Sequence, residues 1–145
     1  DYWGGRVGLL DVDRDRELAQ FPSPFPYREH ALVAVPTDAP EPSSASYQDY
    51  LNGFLGDLLE VSEGKALVLF TSYEMLRSAH AALRDRLAGH GVAALRQGDE
   101  DRARLLARFA GDTSSVLFAT ESFWQGVDVP GESLQLVILC RLPFL

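Results

Sequence analysis

Three short runs of apolar residues constrain the fold of this chain more than any other feature of its sequence. They occupy residues 66–70 (ALVLF), 116–118 (VLF) and 134–140 (LQLVILC). The first is apolar at every position, which is typical of strands that are covered on both faces of a parallel sheet. Strands and helices alternate along most of the chain, so the sequence predicts an α/β fold, a parallel sheet flanked by helices with right-handed crossovers.

Helical periodicity is clearest over residues 47–59, where tyrosine, phenylalanine and leucine form one stripe. Two more helices are expected, with inner faces built on leucines in residues 76–87 and on residues 105, 106 and 109. A first strand is predicted at residues 31–35 and a weaker strand at residues 92–95. Ser43 or Ser44 is expected to cap the first helix, and Asp99 the third.

The length and composition indicate one ordinary domain. The chain has 145 residues, of which 46% are hydrophobic, and no apolar run approaches the roughly 20 residues of a membrane span. Residues 1–27, rich in glycine, charge and proline, are predicted to be an extended lead-in or linker, and residues 28–145 the domain. The first residues do not resemble a signal peptide, so a cytoplasmic location is expected.

Two features exclude classes of function. The one cysteine, Cys140, and three scattered histidines offer no disulfide within the chain and no metal-ligand spacing. The net charge of −8 has the wrong sign for a module whose main task is to grip a phosphate backbone. If nucleic acid is bound, this chain is therefore expected to supply only a few local contacts.

Polar clusters follow three of the predicted strands. They are Thr71-Ser72, then Gln97-Gly98-Asp99, and then the stretch that runs from Thr120 to Asp128 and includes Ser122, Gln125 and Gly126. Because the carboxyl ends of parallel strands share one edge of an open sheet, where ligands bind, these clusters predict a ligand site.

The motifs of several enzyme classes are missing. The sequence has no G-x-x-x-x-G-K-[ST] phosphate loop, no G-x-G-x-x-G, and no G-x-S-x-G around Ser122. What remains are hydroxyls and backbone amides that suit a phosphate, together with Asp128, which could accept hydrogen bonds from a ribose hydroxyl or an arginine. From the residues alone, Asp128 is equally well interpreted as a turn carboxylate ahead of Pro130-Gly131.

The stretch SFWQGVDVPG, residues 122–131, resembles motif V of the DinG-like and xeroderma-pigmentosum-D-like superfamily-2 DNA helicases. Four other segments resemble the same proteins in the same order: SPFPY (23–27), ALVLFTSYEML (66–76), LRQGDEDRARLLARF (95–109) and LVILCRLPF (136–144). The resemblance covers roughly residues 21–145. It implies the second RecA-like motor domain of an ATP-dependent helicase, in which ATP lies between two such domains and its hydrolysis drives movement along single-stranded DNA.

The resemblance also implies roles for individual residues. Gln125, Gly126 and Asp128 would couple the nucleotide cleft to the DNA strand. The candidates for contacts with the DNA backbone are Thr71, Ser72, Thr120 and Ser122, whose hydroxyl groups suit phosphates without reading sequence. Further candidates are Gln97, Gly98 and Asp99. Trp124 is expected to pack within its loop rather than stack on a base.

The chain also departs from the pattern of this family. Gln125 stands where many relatives carry glutamate, and the arginine-bearing motif VI is expected beyond residue 145. The phosphate loop, the Mg²⁺-binding acidic motif and any iron–sulfur cysteines would belong to the first motor domain, the expected partner. ATP and Mg²⁺ are thus expected cofactors of the full-length parent, which would move 5′ to 3′ in repair or replication. This chain by itself is expected to be inactive, with no catalytic or metal-binding residue of its own.

Three alternatives stay open at this point. The chain could be a motor domain, a non-catalytic α/β module that binds a nucleotide or a protein, or part of a helicase-like nuclease fusion. The truncated sheet would expose a strand edge, so a dimer through that edge is also considered.

Overall fold

The computed structural model describes residues 2–8, 19, 21–123 and 125–142, and it divides into two compact units, residues 1–36 and 37–145. In the first unit, two short helices are present, α1 (Tyr2–Arg6) and α2 (Tyr27–His30). The side chains of residues 21–35 are all exposed, and the rings of Phe25 and Tyr27 lie 5.8 Å apart. The predicted domain boundary after residue 27 stays a prediction.

The second unit is a sheet of four parallel strands with helices on both faces. In chain order its elements are α3 (Tyr47–Val61), β1 (Ala66–Phe70), α4 (Tyr73–Gly89), β2 (Ala93–Arg96), α5 (Arg102–Ala110), β3 (Ser115–Thr120), a 3₁₀ turn (Glu121–Phe123) and β4 (Leu136–Leu139). The strand order is β2-β3-β1-β4, and every neighbouring pair is parallel. The predicted parallel sheet flanked by helices is confirmed.

The side chains of β1 divide between two apolar cores, as the continuous apolar pattern requires. Ala66, Val68 and Phe70 pack with leucines of α3 and α4, whereas Leu67 and Leu69 pack with the buried residues of α5. All five residues of β1 and the first five of β3 are buried. Both faces of these two strands are therefore covered, which the sequence predicted.

The outer strand β4 departs from this pattern. Its residues alternate in burial, and Val137 and Leu139 are 53% and 44% exposed. They lie opposite Leu67 and Leu69 of β1, on the face of the sheet that α5 covers. That face is therefore open along β4.

An arginine of α4 ties α3 to α4 on the outside of the first core. Arg86 donates hydrogen bonds to Asp57, at 2.7 Å, and to Glu60. The hydrogen bond from Arg86 holds the pKa of Glu60 below its ordinary value. Gly56 lies directly under the guanidinium, since an added Cβ there would come within 2.8 Å of Arg86 Cζ. The helices approach this closely because residue 56 has no side chain.

The predicted strand at residues 31–35 was wrong. These residues are not in a strand, and Leu32, Val33 and Val35 are 93%, 87% and 75% exposed. An apolar run forms a strand only where another backbone offers a ladder of hydrogen bonds. None of the described residues provides that ladder for residues 31–35.

Both predicted helix caps were also wrong. Ser46, not Ser43 or Ser44, stands at the N-cap of α3, and the Ser44 hydroxyl instead accepts a hydrogen bond from the Ser46 backbone N–H at 3.3 Å. At α5 the cap is Asp101, which accepts from the Arg104 N–H at 3.1 Å. Asp99 is instead ion-paired with Arg96, as described below. No helix in the described part of the chain is long and apolar enough to cross a membrane.

Candidate functional site

The polar clusters that follow β1, β2 and β3 lie at one edge of the sheet. The three strands are parallel, with Phe70 opposite Thr120 and Arg96 opposite Phe118, so their carboxyl ends point the same way. The prediction that these clusters share an edge is confirmed. Hydrogen bonds then show which of their residues are joined.

Gln97, just after β2, joins the ends of β2 and β3. Its Oε1 accepts hydrogen bonds from the Thr120 backbone N–H at 2.7 Å and from Thr120 Oγ1 at 2.9 Å, and its Nε2 donates to Ser122 Oγ at 3.0 Å. The orientation of the amide follows from chemistry, because a backbone N–H can only donate and must therefore face the oxygen. The amide nitrogen consequently faces Ser122.

This orientation decides what each hydroxyl can still do. Thr120 uses its proton on Gln97, so towards a ligand its hydroxyl can only accept. The Ser122 hydroxyl accepts from Gln97, so its own proton remains available for an acceptor such as a phosphate oxygen. Ser72 is similar, because as the N-cap of α4 it accepts from the backbone N–H groups of Glu74 and Met75 at 3.2 and 3.4 Å. Chemically, Ser72 and Ser122 are thus better suited to donate to phosphate than Thr120.

Arg102, the first residue of α5, holds the turn that follows β3. Its Nη1 donates to the carbonyl of Ser122 at 2.6 Å and its Nη2 to the carbonyl of Gln125 at 2.8 Å. The guanidinium carbon lies 4.7 Å from the ring centroid of Phe123, which is 3% exposed. The planar fork of an arginine suits such a pair of acceptors. One side chain therefore contacts three of the loop residues.

The loop then passes through Gly126 to Asp128. Gly126 has a φ of +69°, a left-handed conformation that favours glycine. Val127 and Val129 are partly buried against the core that contains α5, whereas Asp128, between them, is exposed. Asp128 makes no hydrogen bond or ion pair with any described residue. Its carboxylate is therefore presented to solvent from a backbone that is anchored on both sides.

The Thr71-Ser72 cluster is joined to the site through the next residue, Tyr73. Its hydroxyl, at the start of α4, donates to the backbone carbonyl of Gln97 at 2.8 Å. Gly98 has a φ of +98°, and a Cβ there would collide with the Tyr73 hydroxyl. Glycine is therefore required at residue 98 for two reasons, its backbone conformation and the contact with Tyr73. Thr71 is exposed, and its side chain has no hydrogen bond to the described residues.

Asp99 belongs to a local ion pair. Arg96 Nε donates to Asp99 Oδ1 at 3.0 Å, and this hydrogen bond raises the pKa of Arg96. The negative charge of Asp99 is thus compensated by Arg96, whereas that of Asp128 has no such partner among the described residues. Among the described residues, no group of three or more histidines, cysteines, aspartates or glutamates could hold a metal ion. Trp124 lies outside the described residues.

Two residues of this site were missing from the sequence interpretation, Arg102 and Tyr73. Both act through backbone carbonyls that are distant in sequence, 20 to 24 residues away. The only signal in the sequence was their place, at the first position of a helix that follows a polar strand end.

The site lies inside a segment that a known family shares. Residues 55–145 match the model of the family described as the helicase C-terminal domain. The chain belongs to the helicase C-terminal domain family. The part that matches the helicase C-terminal domain contains all four strands and the clusters around Gln97, Arg102 and Asp128, so the site described here is part of the family's own domain.

Curated relatives support the same assignment and confirm the resemblance to DinG-like proteins. The chain is 40% identical over 122 residues, 84% of its length, to the "ATP-dependent DNA helicase YoaA" of Haemophilus influenzae. It is 37% identical over 125 residues, again 84% of its length, to the "ATP-dependent helicase DinG" of Mycobacterium tuberculosis. It is 31% identical over 144 residues, 96% of its length, to the "3'-5' exonuclease DinG" of Bacillus subtilis.

The chain spans only a small part of these relatives, 19%, 18% and 15% of their respective lengths. The relatives thus contain several times as many residues as this chain. No solved structure matches the chain.

Proposed function

We propose that this chain is the second RecA-like motor domain of a DinG-type ATP-dependent DNA helicase, with a 5′-to-3′ direction and a role in cytoplasmic DNA repair or replication. Its part would be to form one wall of the ATP cleft and to contact the backbone of single-stranded DNA. The observation that carries the proposal is the loop of residues 121–128, which Gln97 and Arg102 hold at the carboxyl end of β3.

The proposed DNA contacts follow from the free hydrogen-bonding capacity of the site. Ser72 and Ser122 each keep a hydroxyl proton after their intramolecular hydrogen bonds are made, and Thr71 is exposed beside Ser72. Thr120 is left with acceptor capacity, and we propose that its role is to order the loop. Contacts of this kind position a phosphate backbone without reading its sequence.

The nucleotide would approach the loop at Gln125, Gly126 and Asp128. Gly126 lets a ligand come close to the backbone, and the exposed Asp128 carboxylate can accept a hydrogen bond from a ribose hydroxyl or an arginine. The described residues offer no cluster of metal ligands, and the sequence contains no phosphate loop. We propose that these residues form one wall of an ATP site and that the first RecA-like domain holds the phosphates and Mg²⁺. ATP, when bound, would supply the free energy of phosphoryl transfer.

The main test is the ATPase activity of the intact parent protein, with and without single-stranded DNA. We expect DNA to stimulate the wild type and Asp128→Ala to lose most of that stimulation. Glu132→Ala is the matched control, because Glu132 is another exposed acid four residues further along the chain. The 145-residue chain by itself is expected to show no ATP turnover.

The outcomes separate the alternatives. If the parent turns over no ATP under any DNA condition, the motor proposal fails and a non-catalytic binding module takes its place. Because one relative is named an exonuclease, degradation of labelled DNA should be measured in the same samples. An edge-strand dimer, the remaining proposal about partners, is tested by sedimentation of the purified chain.

A further inference from the structure

The backbone position of Arg102 is fixed by α5, independently of its contacts with the loop. It is the first residue of α5, directly after the N-cap Asp101, whose side chain accepts from the Arg104 N–H. The helix is held to the sheet by Leu105 and Phe109, which are 1% and 0% exposed. Arg102 therefore projects from a rigid element rather than from a mobile loop.

Arg102 differs in its partners from the four described arginines that form ion pairs with carboxylates. Arg84, Arg86, Arg96 and Arg108 each pair with a carboxylate. Arg102 instead donates two hydrogen bonds to backbone carbonyls, and it forms no ion pair with a carboxylate of the described residues. These contacts constrain the backbone of the loop directly.

The two carbonyls, of Ser122 and Gln125, come just before Gly126 and Asp128, the residues proposed for coupling. Phe123, whose buried ring lies under the Arg102 guanidinium, directly follows Ser122 in the sequence, and Gly126 directly follows Gln125. An added Cβ at Gly126 would lie 3.7 Å from Arg102 Nη2, so the glycine sits beside the guanidinium. On its far side the segment is anchored by Val127 and Val129. Removing the guanidinium would free the first of these two anchors.

We propose that Arg102 is a positioning residue that holds the backbone at Ser122 and Gln125, and through it Gly126 and Asp128, for coupling between DNA and nucleotide. The inference rests on the proposed motor function. Arg102 acts through the loop backbone and does not itself contact DNA. Its planar fork is needed, since two acceptors in different residues must be met at once.

The test uses the intact parent with three substitutions at this residue: Arg102→Lys, Arg102→Gln and Arg102→Ala. Lysine keeps the positive charge but cannot span both carbonyls, whereas glutamine loses the charge and is too short to reach both of them. We expect DNA-stimulated ATP turnover to fall about tenfold in all three variants, because none of them can donate to both carbonyls. Turnover without DNA should fall by a smaller factor than turnover with DNA. Arg104→Ala is the matched control, because Arg104 is exposed on the same turn and its side chain makes no hydrogen bond or ion pair with the described residues.

A second measurement separates positioning from a direct phosphate contact. The affinity for single-stranded DNA should be measured over a range of salt concentrations. An arginine that binds one phosphate contributes about 0.7 to the slope of log K against log salt. We expect Arg102→Gln to leave this slope unchanged. A slope that falls by about 0.7, or a lysine variant that behaves like wild type, would overturn the positioning role.

The controls distinguish this inference from the function on which it rests. If the wild type is stimulated by DNA and the Arg102 variants are stimulated equally, the positioning role is wrong and the motor proposal stands. If the wild type shows no stimulation, the motor proposal itself fails and the positioning role fails with it. Equal losses of turnover with and without DNA, together with a lower melting temperature, would mean that Arg102 serves stability alone.

Discussion

The substitution Gln97→Ala tests the core of the site most directly. It removes three hydrogen bonds, two to Thr120 and one to Ser122, with donor–acceptor distances of 2.7, 2.9 and 3.0 Å. Such bonds contribute about 1 kcal/mol each to stability. Because Gln97 is only partly buried, water would restore part of the loss, and we expect the free energy of unfolding to fall by about 2 kcal/mol.

Equilibrium unfolding in urea measures this change. With a slope of about 1–3 kcal/mol per molar, a loss of about 2 kcal/mol lowers the midpoint by about 1 M. Gln97→Glu keeps an oxygen facing the Thr120 N–H and loses only the donor to Ser122, so its loss should be smaller. Gln135→Ala is the control, since Gln135 is exposed and its side chain bonds to none of the described residues. If Gln97→Ala costs no more than Gln135→Ala, the role given to Gln97 is refuted.

Two further predictions concern stability and reactivity. Gly53→Ala should stabilise the protein by about 1 kcal/mol, because glycine is unfavourable within a helix and the new Cβ would meet open space. Gly56→Ala should be less favourable than Gly53→Ala by more than about 1 kcal/mol, because its Cβ would displace the guanidinium of Arg86; equal effects in urea unfolding would show that Arg86 does not need this gap. Burial raises the pKa of the Cys140 thiol from 9.0 to about 12. A neutral buried thiol stabilises the fold fully below pH 9.0, and this contribution is lost as the pH rises towards about 12. The midpoint of the wild type should therefore fall relative to that of Cys140→Ala above about pH 9, and a constant difference between them would contradict the burial of the thiol.

The strands of the central sheet were predictable because their pattern is local. The sequence predicted residues 66–70 as a strand, and β1 has these bounds, since continuous burial on two faces leaves a continuous apolar run. The same reasoning failed for residues 31–35, where the pattern is similar but none of the described strands pairs with them. The apolar pattern of a segment shows which of its side chains can be buried. Strand pairing also requires the backbone of a neighbouring strand, which the pattern does not show.

The location of the site at one edge of the sheet was predicted from the sequence, but the contacts that hold its loop were not. Topology alone placed Gln97, Thr120 and Ser122 at one edge, because parallel strands end on the same side. The contacts of Arg102 could not be foreseen, since they join residues 20 and 23 positions apart through backbone carbonyls that carry no side-chain signature. The cap at Asp101 rather than Asp99 was missed for a related reason. An ion pair with Arg96 competes for Asp99, and spacing alone does not show which partner wins.

The place of β3 in the sheet limits how the site can move. It lies between β1 and β2, hydrogen-bonded on both sides, with its first five residues buried. Bending β3 would break its hydrogen bonds to both neighbouring strands and disturb the apolar packing on both faces of the sheet. The strand is therefore expected to be rigid, with the loop attached at its carboxyl end. A displacement imposed on that loop by a ligand must then either break the contacts of Arg102 and Gln97 or carry the sheet along as one body. In such a domain, a displacement of the loop would rotate the whole sheet as a rigid body, with little change of structure within the sheet.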